Sequence, residues 1–279
     1  MPGGAETAAP FGRRLAEKIR ARGALCAGID PHPGLLDAWD LPRTVPGLEK
    51  FALSATEILA AEVAVIKPQS AFFEAFGAGG IAVLERVLAV AREAGALVLL
   101  DVKRGDIGST MGAYTAAYLD GHSALAADAV TVSPYLGFGS LAPAIEAARA
   151  GGRGLFVLAR TSNPDAAALQ NALLPNGKTV AQSIVDEVAA VNAGTGPLGD
   201  VGVVVGATVS PGELDLSALG GPVLAPGFGA QGATVSDLRA LFGRDLRGVL
   251  AASSRDLLRR GPDPAALRAG VREIQASIR

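Results

Sequence analysis

Asp101 and Lys103 stand two residues apart near the end of an apolar run at 97–102, and another lysine, Lys67, ends a second run at 63–68. In an extended strand, residues i and i+2 project to one face, so Asp101 and Lys103 share a side that Val102 does not. Burying such charges is costly unless they pair. Alternating sign across Lys67, Asp101 and Lys103 keeps both ammonium groups protonated and aims a proton donor into a largely dry cavity, where a carbanion could receive it. Two other readings remain open for these residues. One is an ion-pair network that only plugs the end of a barrel. The other is a Schiff-base lysine, against which Asp101 counts, because a lysine held cationic is a poor nucleophile.

Other apolar runs also end in polar residues: Asp30 after the first, Asp106 just beyond Lys103, Thr161-Ser162-Asn163 after the fifth, and Ser253-Ser254-Arg255 after the eighth. The seventh leads into Pro226-Gly227-Phe228-Gly229-Ala230-Gln231-Gly232. Its glycines let backbone N–H groups come close to an anion, and Arg255 can add a bidentate cation. Together they form a candidate phosphate cradle. Only five of the 25 basic residues are lysines, Lys18, Lys50, Lys67, Lys103 and Lys178, so a lysine at a strand end is poorly explained as surface decoration.

The elements that must position these groups are eight short apolar runs, at 25–30, 63–68, 97–102, 129–133, 154–159, 201–206, 223–226 and 249–252. Most are too uniformly apolar for half-exposed antiparallel strands. Stretches of helical periodicity lie between them, including 80–94, 140–150, 180–192 and 235–242. That alternation predicts repeated βα units on a parallel sheet, and eight of them predict a closed (β/α)8 TIM barrel of the α/β class. An open doubly wound sheet would usually carry a Gly-rich turn after its first strand, whereas this strand ends Gly28-Ile29-Asp30-Pro31-His32-Pro33. A preceding helix at 11–22 is expected to close the barrel bottom, with residues 1–279 forming a single domain. The connections at 161–179 and 207–222 follow strands on the side where barrel sites form, which makes them candidate lids.

The chain has 279 residues, is 49% hydrophobic and carries a formal net charge of −2. It can bury a large core, and it lacks the basic footprint of a nucleic-acid binder. No run approaches the roughly 18 apolar residues of a membrane span, and the N-terminus does not read as a secretion signal. The single cysteine, Cys26, lies in an apolar run and is expected to pack in a strand. A cytoplasmic protein that partners neither membrane nor nucleic acid is expected.

The segment Leu100-Asp101-Val102-Lys103-Arg104-Gly105-Asp106-Ile107-Gly108-Ser109-Thr110 closely resembles the Asp-x-Lys-x-x-Asp-Ile-x-x-Thr signature of the orotidine 5′-phosphate decarboxylases. The resemblance extends from Gly28-Ile29-Asp30-Pro31-His32-Pro33 through Ile66-Lys67-Pro68 and Arg160-Thr161-Ser162-Asn163-Pro164 to the Gly-rich loop, and the Asp30-Pro31-His32-Pro33 and Arg160-Thr161-Ser162-Asn163-Pro164 pieces look like the longer bacterial branch. It implies a decarboxylase without metal or other cofactor that converts orotidine 5′-monophosphate to uridine 5′-monophosphate and carbon dioxide. Lys103 would protonate C6 of the pyrimidine, and Asp101 would lie against the departing carboxylate. Lys67 and Asp30 would hold ribose hydroxyls. Asp106, with Ile107 and Thr110, would reach into the neighbouring subunit's site across a homodimer interface. Ser162 would bind the pyrimidine edge, and Gly229, Gln231 and Arg255 the 5′-phosphate, with Pro226 also among the substrate-binding residues. The arginine follows the Gly-rich loop at a longer distance than in short members, and Arg160 precedes the Thr-Ser-Asn turn.

Two rival functions define what must be distinguished. Magnesium-dependent 3-keto-gulonate 6-phosphate decarboxylases and hexulose phosphate synthases resemble this arrangement, but here a cation would meet Lys67 where they carry a carboxylate. A non-catalytic nucleotide-binding barrel would not need four costly charges in one cavity. His32, on a loop just past a strand, reads as a hydrogen-bonded structural residue, and His122 and Trp39 give no functional signal.

Overall fold

The computed structural model describes residues 9–229, 232–243 and 245–278. Eight parallel strands pair in chain order: β1 (Leu25–Ile29), β2 (Val65–Pro68), β3 (Leu97–Arg104), β4 (Ala129–Val132), β5 (Gly154–Arg160), β6 (Val201–Val205), β7 (Val223–Pro226) and β8 (Val249–Ser253). Pairing of β8 with β1 closes the barrel, so the doubly wound alternative is excluded. All eight expected runs are strands. The second begins two residues later than its apolar run, because 63–64 belong to the turn before it, and the third continues through Arg104. The helix expected at 80–94 starts earlier, at Gly77–Glu93, and helices at Val45–Leu59, Gly108–Leu119 and Pro264–Ile278 add to those the periodicity singled out.

Two apolar layers follow from strand alternation. Cys26, Val65, Leu97, Leu99, Ala129, Phe156, Val204, Leu224, Leu250 and Ala252 pack in one cluster, the barrel interior. Their strand neighbours, such as Ala27, Ile66, Val98, Leu100, Val130 and Val203, belong to a larger cluster shared with the helices. Burial on both faces is what parallel strands require, and it explains why the runs look continuously apolar.

The helix α1 (Phe11–Arg22) caps the interior cluster from below with Phe11 and Leu15. The Phe11 ring meets Phe156 edge-on at 6.1 Å and fills the space beside Gly154, where a Cβ would come within 2.3 Å of it. Polar contacts fasten the helix in place: Arg14 donates to Asp128 Oδ1 at 2.6 Å and to the Gly152 carbonyl at 2.8 Å, and the Gly12 N–H donates to Asp200 Oδ1 at 2.8 Å. The lower barrel is thus filled by apolar side chains and capped by α1, and the open end lies at the strand C-termini, where side chains of such barrels converge on a site.

Candidate active site

Continuing the inward alternation one step past the apolar layer reaches the groups that line a cavity of about 340 Å³: Gly28, Lys67, Asp101, Thr131, Leu158 and Pro226. Leu158, Val204, Leu224 and Ala252 give it apolar walls, while Asp30, Gln69, Lys103, Ser162 and Arg255 ring it.

Its charged centre is Asp101, only 5% exposed. Oδ2 accepts from Lys67 Nζ at 3.0 Å and Oδ1 from Lys103 Nζ at 2.5 Å. Lys67, also buried, has Asp30 Oδ1 at 3.9 Å on its other side. Burial works against charge at both groups, and pairing outweighs it. Desolvation alone would raise the Asp101 carboxyl, yet the Lys67 and Lys103 ammonium groups hold it well below the usual carboxylate range. Desolvation alone would lower Lys67, yet Asp101 and Asp30 raise it above its ordinary value. Cys26 lies one inward step below Gly28 on β1, and burial pushes its thiol up to about 12. It is a packed, neutral side chain, as its apolar context suggested.

Lys103 reaches Asp101 by a route that simple alternation does not describe. The β3–β4 register runs Leu99↔Ala129 and Leu100↔Val130, then jumps to Arg104↔Val132, so residues 101–103 bulge opposite Thr131 alone. Lys103 sits at the bulge with φ +48°, in the left-handed region. A non-glycine residue there costs on the order of 1–3 kcal/mol and persists only where its surroundings hold it. Val102, as expected, turns outward to the helices.

Two polar residues at this centre escaped the sequence reading. Thr131 Oγ1 accepts from the Lys103 N–H at 2.9 Å and donates to Asp101 Oδ1 at 2.8 Å. Gln69 donates to the Asp101 carbonyl at 3.3 Å and accepts from Lys103 Nζ at 3.4 Å. The available signals were a hydroxyl inside the apolar run 129–133, two residues beyond inward-facing Ala129, and an amide two residues past Lys67.

The rim is assembled from loops. Arg160 donates to Glu213 Oε2 at 3.0 Å and to the Thr161 carbonyl at 2.6 Å, and Gln170 Oε1 accepts from the Thr161 N–H at 2.8 Å. The two long connections are thereby tied together beside Ser162 and Asn163. The first of them has structure of its own, with a short helix at Ala167–Gln170. His32 caps the Pro33–Ala38 helix by accepting from the Gly34 N–H, a structural role as expected. Among the described residues three buried oxygens, Asp30 Oδ1, Ser253 Oγ and Ser254 Oγ, have no hydrogen-bond partner, and all three residues line the cavity.

The expected phosphate cradle is brought together in part. Pro226, Gly227, Phe228 and Arg255 line the cavity. Gly229 does not line it; its φ is +75° and its N–H donates to the Ala233 carbonyl at 3.1 Å, so in this loop conformation that amide is engaged. Gln231 lies outside the described residues. Asp106, Ile107 and Thr110 are also absent from the cavity wall: Asp106 accepts from the Ile107 N–H, and Ile107 is 62% exposed. Among the described residues no three His, Cys, Asp or Glu side chains gather as a metal-holding group, and no helix is long and apolar enough to cross a membrane.

A closed parallel barrel with buried, paired charges at its C-terminal mouth defines the class: a (β/α)8-barrel enzyme. Residues 23–269 match the model of the orotidine 5′-phosphate decarboxylase / HUMPS family. A Salinispora arenicola protein named orotidine 5′-phosphate decarboxylase is 58% identical over 269 residues, 96% of this chain and 97% of that one. A Streptomyces coelicolor protein of the same name is 53% identical over 97% of each chain. A Streptomyces avermitilis crystal structure described as an orotidine 5′-phosphate decarboxylase superposes with a TM-score of 0.94 at 53% identity, covering 97% of this chain and 95% of that one. The chain belongs to the orotidine 5′-phosphate decarboxylase / HUMPS family.

Replacing Asp101 tests the charged centre. Asp101→Asn leaves Lys67 buried with only Asp30 nearby and is expected to lower the unfolding free energy at pH 7 by about 3–5 kcal/mol. Because the folded carboxyl titrates below its unfolded value of about 3.9, its contribution is complete above that pH and is lost as pH falls toward the folded value. Urea unfolding at several pH values should therefore show a steeper acid loss for wild type than for Asp101→Asn. Parallel acid profiles would contradict the pairing.

Proposed function

We propose that this protein decarboxylates orotidine 5′-monophosphate to uridine 5′-monophosphate and carbon dioxide, in pyrimidine nucleotide synthesis, with no metal or organic cofactor. The observation that carries the proposal is the Asp101 carboxylate, buried at the cavity floor with one lysine ammonium on each oxygen. Family membership and close relatives that bear the decarboxylase name support the same reading.

The chemistry follows from that arrangement. The C6–carboxylate bond breaks, carbon dioxide leaves, and the electron pair stays on C6. Without an electron sink this carbanion needs fixed positive charge in a water-poor site. Lys103 supplies that charge, gives its proton to C6, and takes another from solvent, to which its side chain is 44% exposed. Asp101 presents negative charge where the substrate carboxylate sits and holds both ammonium groups in place. Lys67 and Asp30 bind ribose hydroxyls, a role supported by Asp30 Oδ1, which lies 3.9 Å from Lys67 Nζ and accepts no hydrogen bond among the described residues. Ser162 binds the pyrimidine edge. Pro226 binds substrate, and Gly229, Gln231 and Arg255 surround the 5′-phosphate, with the Gly229 amide released when the loop rearranges around it. Phosphate binding remote from C6 can then contribute to turnover through loop closure.

The protein acts as a homodimer with shared sites. Asp106, Ile107 and Thr110 do not line their own cavity, and exposed Ile107, Tyr135 and Leu136 follow adjacent strands, an apolar surface suited to a second copy. The reading also implies a single catalytic domain over 1–279, a cytoplasmic location, and no membrane or nucleic-acid partner.

Loss of orotate absorbance, followed in excess EDTA, tests the activity. Wild type is expected to turn over and Lys103→Ala to lose at least about 1,000-fold of it, as removal of both the charge and the proton donor implies. Turnover of a sugar phosphate that requires magnesium would instead indicate the metal-dependent branch. Ligand binding without turnover would indicate a binding protein. Mixing the inactive Lys103→Ala and Asp106→Ala variants tests the shared site. Activity should appear on subunit exchange, and no recovery would mean that Asp106 does not act across an interface.

A further inference from the structure

The least expected group at the reaction centre is a hydroxyl. Thr131 is 1% exposed and faces the barrel interior on β4, with Ala129 two residues before it in the same layer. By apolar patterning an aliphatic side chain would serve this position, and the opposing strand positions Phe156, Leu158 and Val204 are apolar.

Its hydrogen bonds explain the exception. The β3–β4 ladder breaks between Leu100 and Arg104, so the Lys103 N–H points at no backbone acceptor of β4. Thr131 Oγ1 takes that bond at 2.9 Å. A hydroxyl has one proton, and with the oxygen already accepting, the proton goes to the ionised Asp101 Oδ1, 2.8 Å away. The same carboxylate oxygen receives Lys103 Nζ. A closed ring results: the Lys103 N–H donates to Thr131, the Thr131 O–H donates to Asp101, and the Lys103 ammonium donates to the same Asp101 oxygen. It fixes both ends of the lysine relative to one carboxylate oxygen and accounts for the left-handed backbone at Lys103.

We propose that Thr131 is a positioning residue for decarboxylation, its hydroxyl standing in for the missing ladder acceptor and aiming Asp101 and Lys103 together at the reacting carbon. The inference rests on the proposed activity of Lys103. Thr131 does not exchange a proton with substrate; it sets where the donor and the carboxylate stand. Gln69, which accepts from Lys103 Nζ at 3.4 Å and donates to the Asp101 carbonyl, cannot replace it, because the Lys103 N–H donates to Thr131 and not to Gln69.

Thr131→Val keeps volume, β-branching and burial while removing both hydrogen bonds; Thr131→Ser keeps the hydroxyl. With wild-type turnover of orotidine 5′-monophosphate and Lys103→Ala inactivity as controls for the underlying activity, the kinetics of both variants decide. Thr131→Val is expected to lower kcat by about 10- to 100-fold, the range for loss of a hydrogen bond to a charged group, with uridine 5′-monophosphate affinity changed by less than about threefold, since the product has no carboxylate to meet Asp101. Thr131→Ser is expected to recover kcat to within about threefold of wild type. Three outcomes would overturn the proposal: Thr131→Val turning over like wild type, Thr131→Ser failing as badly as Thr131→Val, or product affinity falling in step with kcat, which marks a packing role. Should Thr131→Val not fold, Thr131→Ala and Thr131→Ser compared at equal folded fraction give the same decision.

Discussion

One ionised carboxylate, buried and held between two ammonium groups, sets the terms for the rest of this molecule. Asp101 can stay charged in the barrel only while Lys67 reaches one oxygen and Lys103 the other. Removing water strengthens each attraction and raises the cost of leaving any member unpaired. The arrangement must therefore be delivered intact by β2, β3 and β4 together. The same dryness that makes the network expensive makes a lysine ammonium effective toward a nascent carbanion.

The architecture provides that dryness from below and access from above. Strand alternation fills the lower interior with apolar side chains, and α1 seals it through Phe11 and Leu15. The charges begin one residue step higher, where the strands end. Position along a strand is thus a position along the barrel axis, with structure at the bottom and chemistry at the mouth. The left-handed backbone at Lys103 lies in the β3 bulge opposite Thr131, and the hydroxyl of β4 accepts the Lys103 N–H there.

Much of this is legible in the sequence because it depends on local period. Eight apolar runs separated by helical stretches specify the barrel, and what each run ends with locates Lys67, Asp101, Lys103, Asp30, Ser162 and Arg255 at one cavity. What was not legible depends on register between strands. No pattern within β3 reveals the jump opposite Thr131, and Thr131 alone looks like an ordinary β-branched strand residue. Gln69 is hidden for the same reason, its partners lying on another strand. Gly229 shows a further limit: glycine permits an amide to face an anion but does not oblige it, and here that amide bonds Ala233. Asp106, Ile107 and Thr110 lie beyond what one chain can express, because their proposed partners belong to a second copy.

The ionisation of Asp101 can be read directly. In protein labelled with carbon-13 at the aspartate side-chain carboxyls, with the Asp101 resonance assigned by its loss in Asp101→Asn, a titration from about pH 7 to about pH 3 separates the possibilities. The account predicts that Asp101 keeps the chemical shift of a carboxylate to the acid end of that range while exposed aspartates titrate. A midpoint at or above about 4 would contradict it, because two bound ammonium groups could not leave the carboxyl so ready to take a proton.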